Sequence, residues 1–248
     1  MSQVWEAIEE YQQALGWSTV LDAGTGHSSL GWLTRLECQV WTAVTASPKR
    51  YADLQADLGA SIRLQDRLVL GNWLDEQLLD RQCFDVVVAH YLLGALERYS
   101  PYFEFALLKR LRRHASGRLY FVGMEPSRKF ASQEEHLMHQ LFCFRDACYL
   151  HAGSRGYREY PMNWVQERLG ECGFRTLETA VFPNIYGENY LEQFFNACRY
   201  QLAEIGCPEL RAVLEQRADS LHASTLEAVQ RHHRLRAGFD YLIVAEAV

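Results

Sequence analysis

Residues 20–33 read V-L-D-A-G-T-G-H-S-S-L-G-W-L. Val20 and Leu21 end a short apolar run with the character of a buried strand, and Asp22, Gly24 and Gly26 form a turn. Helical spacing resumes from Ser28 to Leu36. A strand, a glycine-rich turn and a helix start together make a ligand cradle. Glycine admits backbone angles closed to other residues and lets a ligand approach the main chain. A helix start offers unpaired N–H groups to an acceptor. Three ligand classes use such turns. A phosphate-cradling loop needs Gly-Lys-Ser/Thr, and no lysine stands here. A dinucleotide fingerprint needs a third glycine, which falls on Ser29. The remaining pattern is D-x-G-x-G, with a tight turn that holds no ligand as the plainer alternative.

At 248 residues the chain is long enough for one large domain with its own core. Its 48% hydrophobic and 23% charged content is that of an ordinary globular protein. A formal net charge of −6 argues against non-specific binding to nucleic acid. No apolar run reaches membrane-spanning length, and the first residues read as an amphipathic helix rather than a signal peptide. The seven cysteines (Cys38, Cys83, Cys143, Cys148, Cys172, Cys198, Cys207) form no C-x-x-C pair. They read as reduced, mostly buried thiols in a cytoplasmic protein.

Outward from the turn, strand and helix alternate. Residues 2–15 carry Val4, Ile8, Tyr11 and Leu15 at helical spacing, a helix expected over the sheet edge. Gln39–Val44 is a second strand, and Ser47-Pro48 supplies a cap and first position for the next helix. Asp66–Gly71 is a third strand, followed by a helix over about Leu74–Leu79. Phe84–Ala89 is a fourth, apolar as a strand buried on both faces should be. Helices fill Tyr91–Ala115, and Gly117–Gly123 is a fifth strand. Ser132–Leu150 and Pro161–Cys172 are helical, Phe174–Phe182 is a sixth strand, and Phe239–Ala245 is the last. This alternation predicts a parallel sheet with helices on both faces, in one domain without repeats.

With D-x-G-x-G closing the first strand and this order of elements, the chain resembles the class I S-adenosylmethionine-dependent methyltransferases over nearly its full length. The resemblance implies a Rossmann-like, doubly wound α/β fold, its mostly parallel seven-stranded sheet carrying an antiparallel last strand. Insertions at about 126–160 and 187–237 are expected to form a helical substrate cap. S-adenosyl-L-methionine is the implied cofactor, with Asp22, Gly24, Thr25 and Gly26 around its methionine half. The family's acidic ribose ligand falls on Thr45, with Ser47 as an alternative hydroxyl. The Gly-Asp that often follows the third strand is Gly71-Asn72 here, whose amide carbonyl can accept the adenine amine. Trp73 offers a backbone N–H or a stacking face, or else anchors the core.

His90 and Tyr91 follow the fourth strand, where the family flanks the transferred methyl, so His90 is a cofactor contact and a general-base candidate. Glu125 is a further base or amine ligand. Arg155, Tyr157, Arg158 and Tyr160 share a glycine-containing loop suited to a carboxylate or an aromatic group, and Tyr186 has similar character. His136, His139 and Cys143 share one helix face, yet apolar neighbours there argue against a metal. The reading is methyl transfer to a small-molecule or peptide-derived acceptor, as O-methylation of a carboxyl or hydroxyl in a natural product. No membrane or nucleic-acid partner is expected, and the oligomeric state is left open, a homodimer included. The rivals are a catalytically degenerate scaffold with this fold and a nucleotide-cofactor oxidoreductase.

Overall fold

The computed structural model describes residues 3–126 and 132–248. Ser2, placed in the first helix, and 127–131 of the 126–160 insertion lie outside them. Seven strands form one sheet: β1 (Thr19–Asp22), β2 (Val40–Thr45), β3 (Arg67–Leu70), β4 (Phe84–His90), β5 (Ala115–Met124), β6 (Phe174–Tyr186) and β7 (Leu235–Ala247). Their order is β3-β2-β1-β4-β5-β7-β6. The neighbours from β3 to β5 are parallel, and β7 runs antiparallel to β5, with Tyr120 opposite Val244. The chain goes outward from β1 to β3 and then returns to β4 on the other side. That reversal puts a switch point, where open α/β sheets bind ligands, between the carboxyl ends of β1 and β4.

Nine helices accompany the strands among the described residues: α1 (Gln3–Gln13), α2 (His27–Leu33), α3 (Pro48–Leu58), α4 (Leu92–Tyr99), α5 (Glu104–His114), α6 (Gln133–His151), α7 (Met162–Glu171), α8 (Glu188–Ala203) and α9 (Pro208–His232). None is long and apolar enough to cross a membrane. Val4, Trp5 and Ile8 of α1 pack with Leu30, Trp32 and Leu33 of α2 and Leu54 of α3 on one sheet face, against Val86, Val88, Tyr120, Val122, Leu242 and Val244. The first helix therefore covers the central strands rather than the sheet edge. The Tyr120 hydroxyl confirms it by donating to Gln12 Oε1 at 2.7 Å. Leu15, expected on the apolar stripe, lies beyond the helix end and is 58% exposed. Helices α4 and α5 contact strands β4 and β5, and α7 contacts α5.

Two compact units divide the described chain. The first comprises Met1–Met124, Arg158–Phe182 and Asp240–Val248, and the second Glu125–Tyr157 and Pro183–Phe239. The second has its own core, in which Met138, Leu141 and Phe144 of α6 meet Leu191, Phe195 and Leu202 of α8 and Leu221 and Val229 of α9. All seven cysteines are free, but burial holds only for Cys38, Cys148 and Cys198; Cys83, Cys143 and Cys207 are exposed.

Local chemistry explains where the sequence expectations held and failed. Ser47 caps α3 as expected, its hydroxyl accepting from the Arg50 amide at 3.2 Å with Pro48 at the first position. Gly173 ends α7 in the left-handed region, at φ +88°. The helix expected over 74–79 is absent. Asn72 Oδ1 accepts from the Leu74 amide and Asp75 Oδ1 from the Gln77 amide, both at 2.9 Å. Such two-residue side-chain turns compete with helical bonding, and the segment stays a chain of turns. Residues 235–237, expected to be helical, belong to β7: His233 breaks α9 at φ 63°, and Leu235 and Ala237 then alternate inward.

Candidate functional site

The turn after β1 sits beside the switch point, and its amides are satisfied from within. The Ala23 amide donates to Val88 O at 2.9 Å and the Thr25 amide to Val44 O at 2.7 Å. The Gly26 amide donates to Ser29 Oγ at 3.0 Å. These turn amides are therefore not free to meet a ligand, while the amides of the first turn of α2 begin at His27. Neither turn glycine lies in the left-handed region, so unusual backbone angles are not why they are glycines. A Cβ on Gly24 would stand 2.7 Å from Leu92 Cδ1, so close packing against the start of α4 excludes one. A Cβ on Gly26 would have only Arg50 Nη1 nearby, at 3.6 Å, so this glycine faces open space.

Asp22 lies under that turn with no exposed surface. Oδ1 accepts from the Gly24 amide at 3.3 Å. Oδ2 is buried with no hydrogen-bond partner among the described residues. Burial pushes the carboxyl pKa up, and the nearby Ser29 and Thr25 hydroxyls and the Gly24 amide only partly oppose it. An incompletely satisfied buried carboxylate is costly for folding alone, which makes Asp22, in the same turn as the open Gly26, a candidate ligand contact. We expect Gly26→Val to keep the wild-type melting temperature while losing cofactor affinity at least tenfold, because its side chain enters the open space. Gly24→Val should lose both, through Leu92. Melting curves and calorimetry on the two chains check the contrast.

The ends of β2 and β3 depart from expectation. Thr45 is buried and its Oγ1 accepts from the Ser47 amide at 3.5 Å, while the Ser47 hydroxyl is occupied as a cap. The Asn72 carbonyl, expected to take an adenine amine, accepts from both the Leu74 amide and Ser100 Oγ, each at 2.9 Å. Its amide nitrogen donates to Tyr99 O at 3.4 Å. Asn72 is thus a structural clamp. Trp73 is 4% exposed, so it offers no stacking face, and its Nε1 donates to Ala23 O at 2.7 Å. The core-anchor reading holds for Trp73, which ties the β3 loop to the turn after β1.

At the end of β4, the His90 ring lies 4.6 Å from Trp5 and 4.4 Å from Tyr91. Burial among these rings lowers its pKa to about 4. An imidazole so weakly basic is a less favourable general base for a hydroxyl. Below the ordinary value of 6.5 the unfolded chain takes a proton that the folded one refuses. Stability is therefore lost as pH falls from about 6.5 to about 4, by about 2–3 kcal/mol from this residue. Urea midpoints at pH 7 and pH 4.5 should show His90→Phe losing that much less than wild type.

Tyr91 occupies the left-handed region, φ 51°, a strained setting for a tyrosine. Its hydroxyl donates to Asp240 Oδ2 at 2.6 Å. In the same unit, Tyr91, Phe121, Glu159, Tyr160 and Tyr241 line a narrow cleft beyond β4 and β5. The Tyr160 hydroxyl donates to Glu104 at 2.8 Å, and its carbonyl accepts from the Tyr241 hydroxyl at 2.8 Å. Arg158 places its guanidinium 3.9 Å from the buried Glu97 carboxylate. In the second unit, the Glu125 amide donates to Phe239 O at 3.0 Å, Arg155 is exposed, and Tyr157 is 39% exposed. Tyr186 is buried there against Tyr190 and Phe142. His139 Nε2 lies 3.4 Å from Cys143 Sγ on α6, away from the face that carries Met138, Leu141 and Phe144 inward. No group of three metal-ligating side chains occurs among the described residues. Sequence reasoning missed Trp5, Arg50, Glu159 and Asp240. Only Trp5 left a trace, as an apolar residue beside Val4 on an amphipathic helix.

No family model and no curated protein matches the chain. Solved structures do. A protein of Bacillus halodurans C-125 assigned as a methyltransferase is 16% identical, with TM-score 0.61 and 93% of each chain covered. The mycolic acid cyclopropane synthase CmaA1, complexed with SAH and CTAB, is 15% identical at TM-score 0.55, covering 99% of this chain and 86% of that one. The magnesium protoporphyrin IX methyltransferase of Synechocystis PCC 6803, with bound SAH, is 14% identical at TM-score 0.53, covering 99% and 83%. This chain has the fold of the class I methyltransferases.

Proposed function

We propose that this chain is an S-adenosylmethionine-dependent methyltransferase that acts on a small-molecule or peptide-derived acceptor in the cytoplasm. The observation that carries the reading is the buried Asp22 Oδ2, without a hydrogen-bond partner among the described residues, in the turn that also holds the open Gly26 at the β1/β4 switch point. A ligand with a cationic amine suits that oxygen, and S-adenosylmethionine has one on its methionine half. Thr45 and Arg50 flank the same turn and are assigned to its sugar. The bound cofactor supplies an activated methyl group with its own leaving group. The protein's part is then to orient the acceptor and exclude water.

The acceptor atom is proposed to be an oxygen of a hydroxyl or carboxyl group. Tyr91, hydrogen-bonded to Asp240, and Glu125 are the groups assigned to its proton, and His90 is withdrawn from that role. Arg155, Tyr157, Tyr160 and Tyr186 remain assigned to acceptor recognition. Arg158 is assigned there less directly, because Glu97 already neutralises it. A degenerate scaffold is the second reading, favoured by the engaged Asn72 carbonyl and the missing acid at Thr45. Calorimetry with S-adenosylmethionine and S-adenosylhomocysteine (SAH) tests the first step: micromolar binding is expected, and no binding of either removes the methyltransferase reading. Transfer of a labelled methyl to a panel of hydroxyl and carboxyl compounds then separates enzyme from scaffold.

A further inference from the structure

Five aromatic rings run in series toward the switch point. Trp17 meets Trp32 edge-on at 5.6 Å, and Trp32 stacks on Trp5 at 4.6 Å with an interplanar angle of 16°. Trp5 packs on His90 at 4.6 Å, and His90 on Tyr91 at 4.4 Å. Hydrogen bonds fix the series at several points. Trp32 Nε1 donates to Glu9 at 2.7 Å, Trp5 Nε1 to Ser28 Oγ at 3.2 Å, and the Tyr91 hydroxyl to Asp240. Val88 pairs with Asp22 across the sheet, so His90 and Tyr91 continue β4 alongside the turn that carries Gly24 and Gly26. The far end of the series therefore borders the crevice itself.

We propose that Trp5, His90 and Tyr91 form an aromatic wall that selects the positively charged sulfonium cofactor over the neutral thioether left after transfer. The proposal rests on the methyltransferase reading. Aromatic faces attract a cation within about 6 Å, and more strongly where water is excluded. A thioether of the same shape gains little from the same faces. For the wall to work, His90 has to be uncharged, and its low basicity keeps it so at neutral pH. Trp5 is 2% exposed and acts through His90, as a positioning residue that holds the ring dry. After transfer the wall faces a neutral ligand, which favours exchange of spent for fresh cofactor.

Calorimetry on the full chain at pH 7.5, with S-adenosylmethionine and SAH as the two probes, tests the wall. Wild type should bind the sulfonium roughly five- to thirtyfold more tightly than the thioether, as expected of a partly desolvated cation–π contact. His90→Phe should keep that ratio within about twofold, and His90→Leu should bring it close to one. His90→Lys should weaken S-adenosylmethionine at least tenfold while SAH changes less than threefold. Circular dichroism establishes folding, and if the lysine chain does not fold, the leucine chain decides. Trp5→Leu should raise the His90 pKa toward 6.5 in a histidine NMR titration, which a purely structural role would not move. Equal affinities in wild type, or one ratio in all the His90 variants, overturn the wall. Binding of neither probe by wild type overturns the methyltransferase reading instead.

Discussion

An Asp22→Asn chain should bind SAH about ten- to a hundredfold more weakly than wild type, yet unfold at higher urea concentration. The two effects share one cause. Asp22 is wholly buried and Oδ2 has no partner among the described residues, and under the proposed function its charge serves a ligand rather than the fold. Losing a charge-assisted hydrogen bond to the ligand amine costs about 1.5–3 kcal/mol, which sets the affinity range. Removing the buried charge should return about 1–3 kcal/mol to the ligand-free protein, while the asparagine oxygen still accepts from the Gly24 amide. The pH dependence carries a definite sign. The folded pKa is raised, so above 3.8 the unfolded chain ionises first and wild type loses stability as pH rises toward the folded value. The asparagine chain lacks that loss. Urea midpoints from pH 4 to pH 8 and calorimetry at pH 7.5 measure both effects. An asparagine chain less stable than wild type at neutral pH would make Asp22 a structural residue.

Trp73→Ala is expected to cost about 3–5 kcal/mol, as large cavities do when a buried indole is removed. Trp73→Phe keeps most of the volume but strands the Ala23 carbonyl, at about 1–3 kcal/mol. The phenylalanine chain should also bind SAH more weakly, because that hydrogen bond holds the turn that carries Gly24 and Gly26. The opposite side of the loop is held by Arg110, whose guanidinium donates to the carbonyls of Trp73 and Asp75. A phenylalanine chain within 0.5 kcal/mol of wild type would show that this hydrogen bond contributes nothing, a threshold set by the usual spread of neutral substitutions at about ±0.5 kcal/mol.

Much of this protein could be read from neighbouring residues alone. Val86, Val87 and Val88 announce a strand buried on both faces because β-branched apolar runs suit no exposed setting. Ser47-Pro48 announces a helix start, since the cap and the fixed proline φ act within four residues. D-x-G-x-G marked the turn after β1, and the strand order around it places the switch point beside that turn. Each of these signals is local, so the sequence by itself determined the central strands, the start of α3 and the position of the turn, but not the chain of turns over 74–79 or the extra length of β7.

What each site residue can do was decided by partners distant in the chain. Asn72 lost its free carbonyl to Ser100, 28 positions on, and Trp73 became an anchor through Ala23, 50 positions back. Tyr91 meets Asp240 across 149 positions. His90 is a weak base because the fold buries it, with Trp5 of α1 and Tyr91 packed on its ring. Even the turn glycines changed meaning: a side chain on Gly24 would have to displace Leu92, whereas Gly26 has open space beside it. Hydrogen-bond occupancy and desolvation depend on what the folded chain brings alongside a group, and no spacing within a motif encodes them.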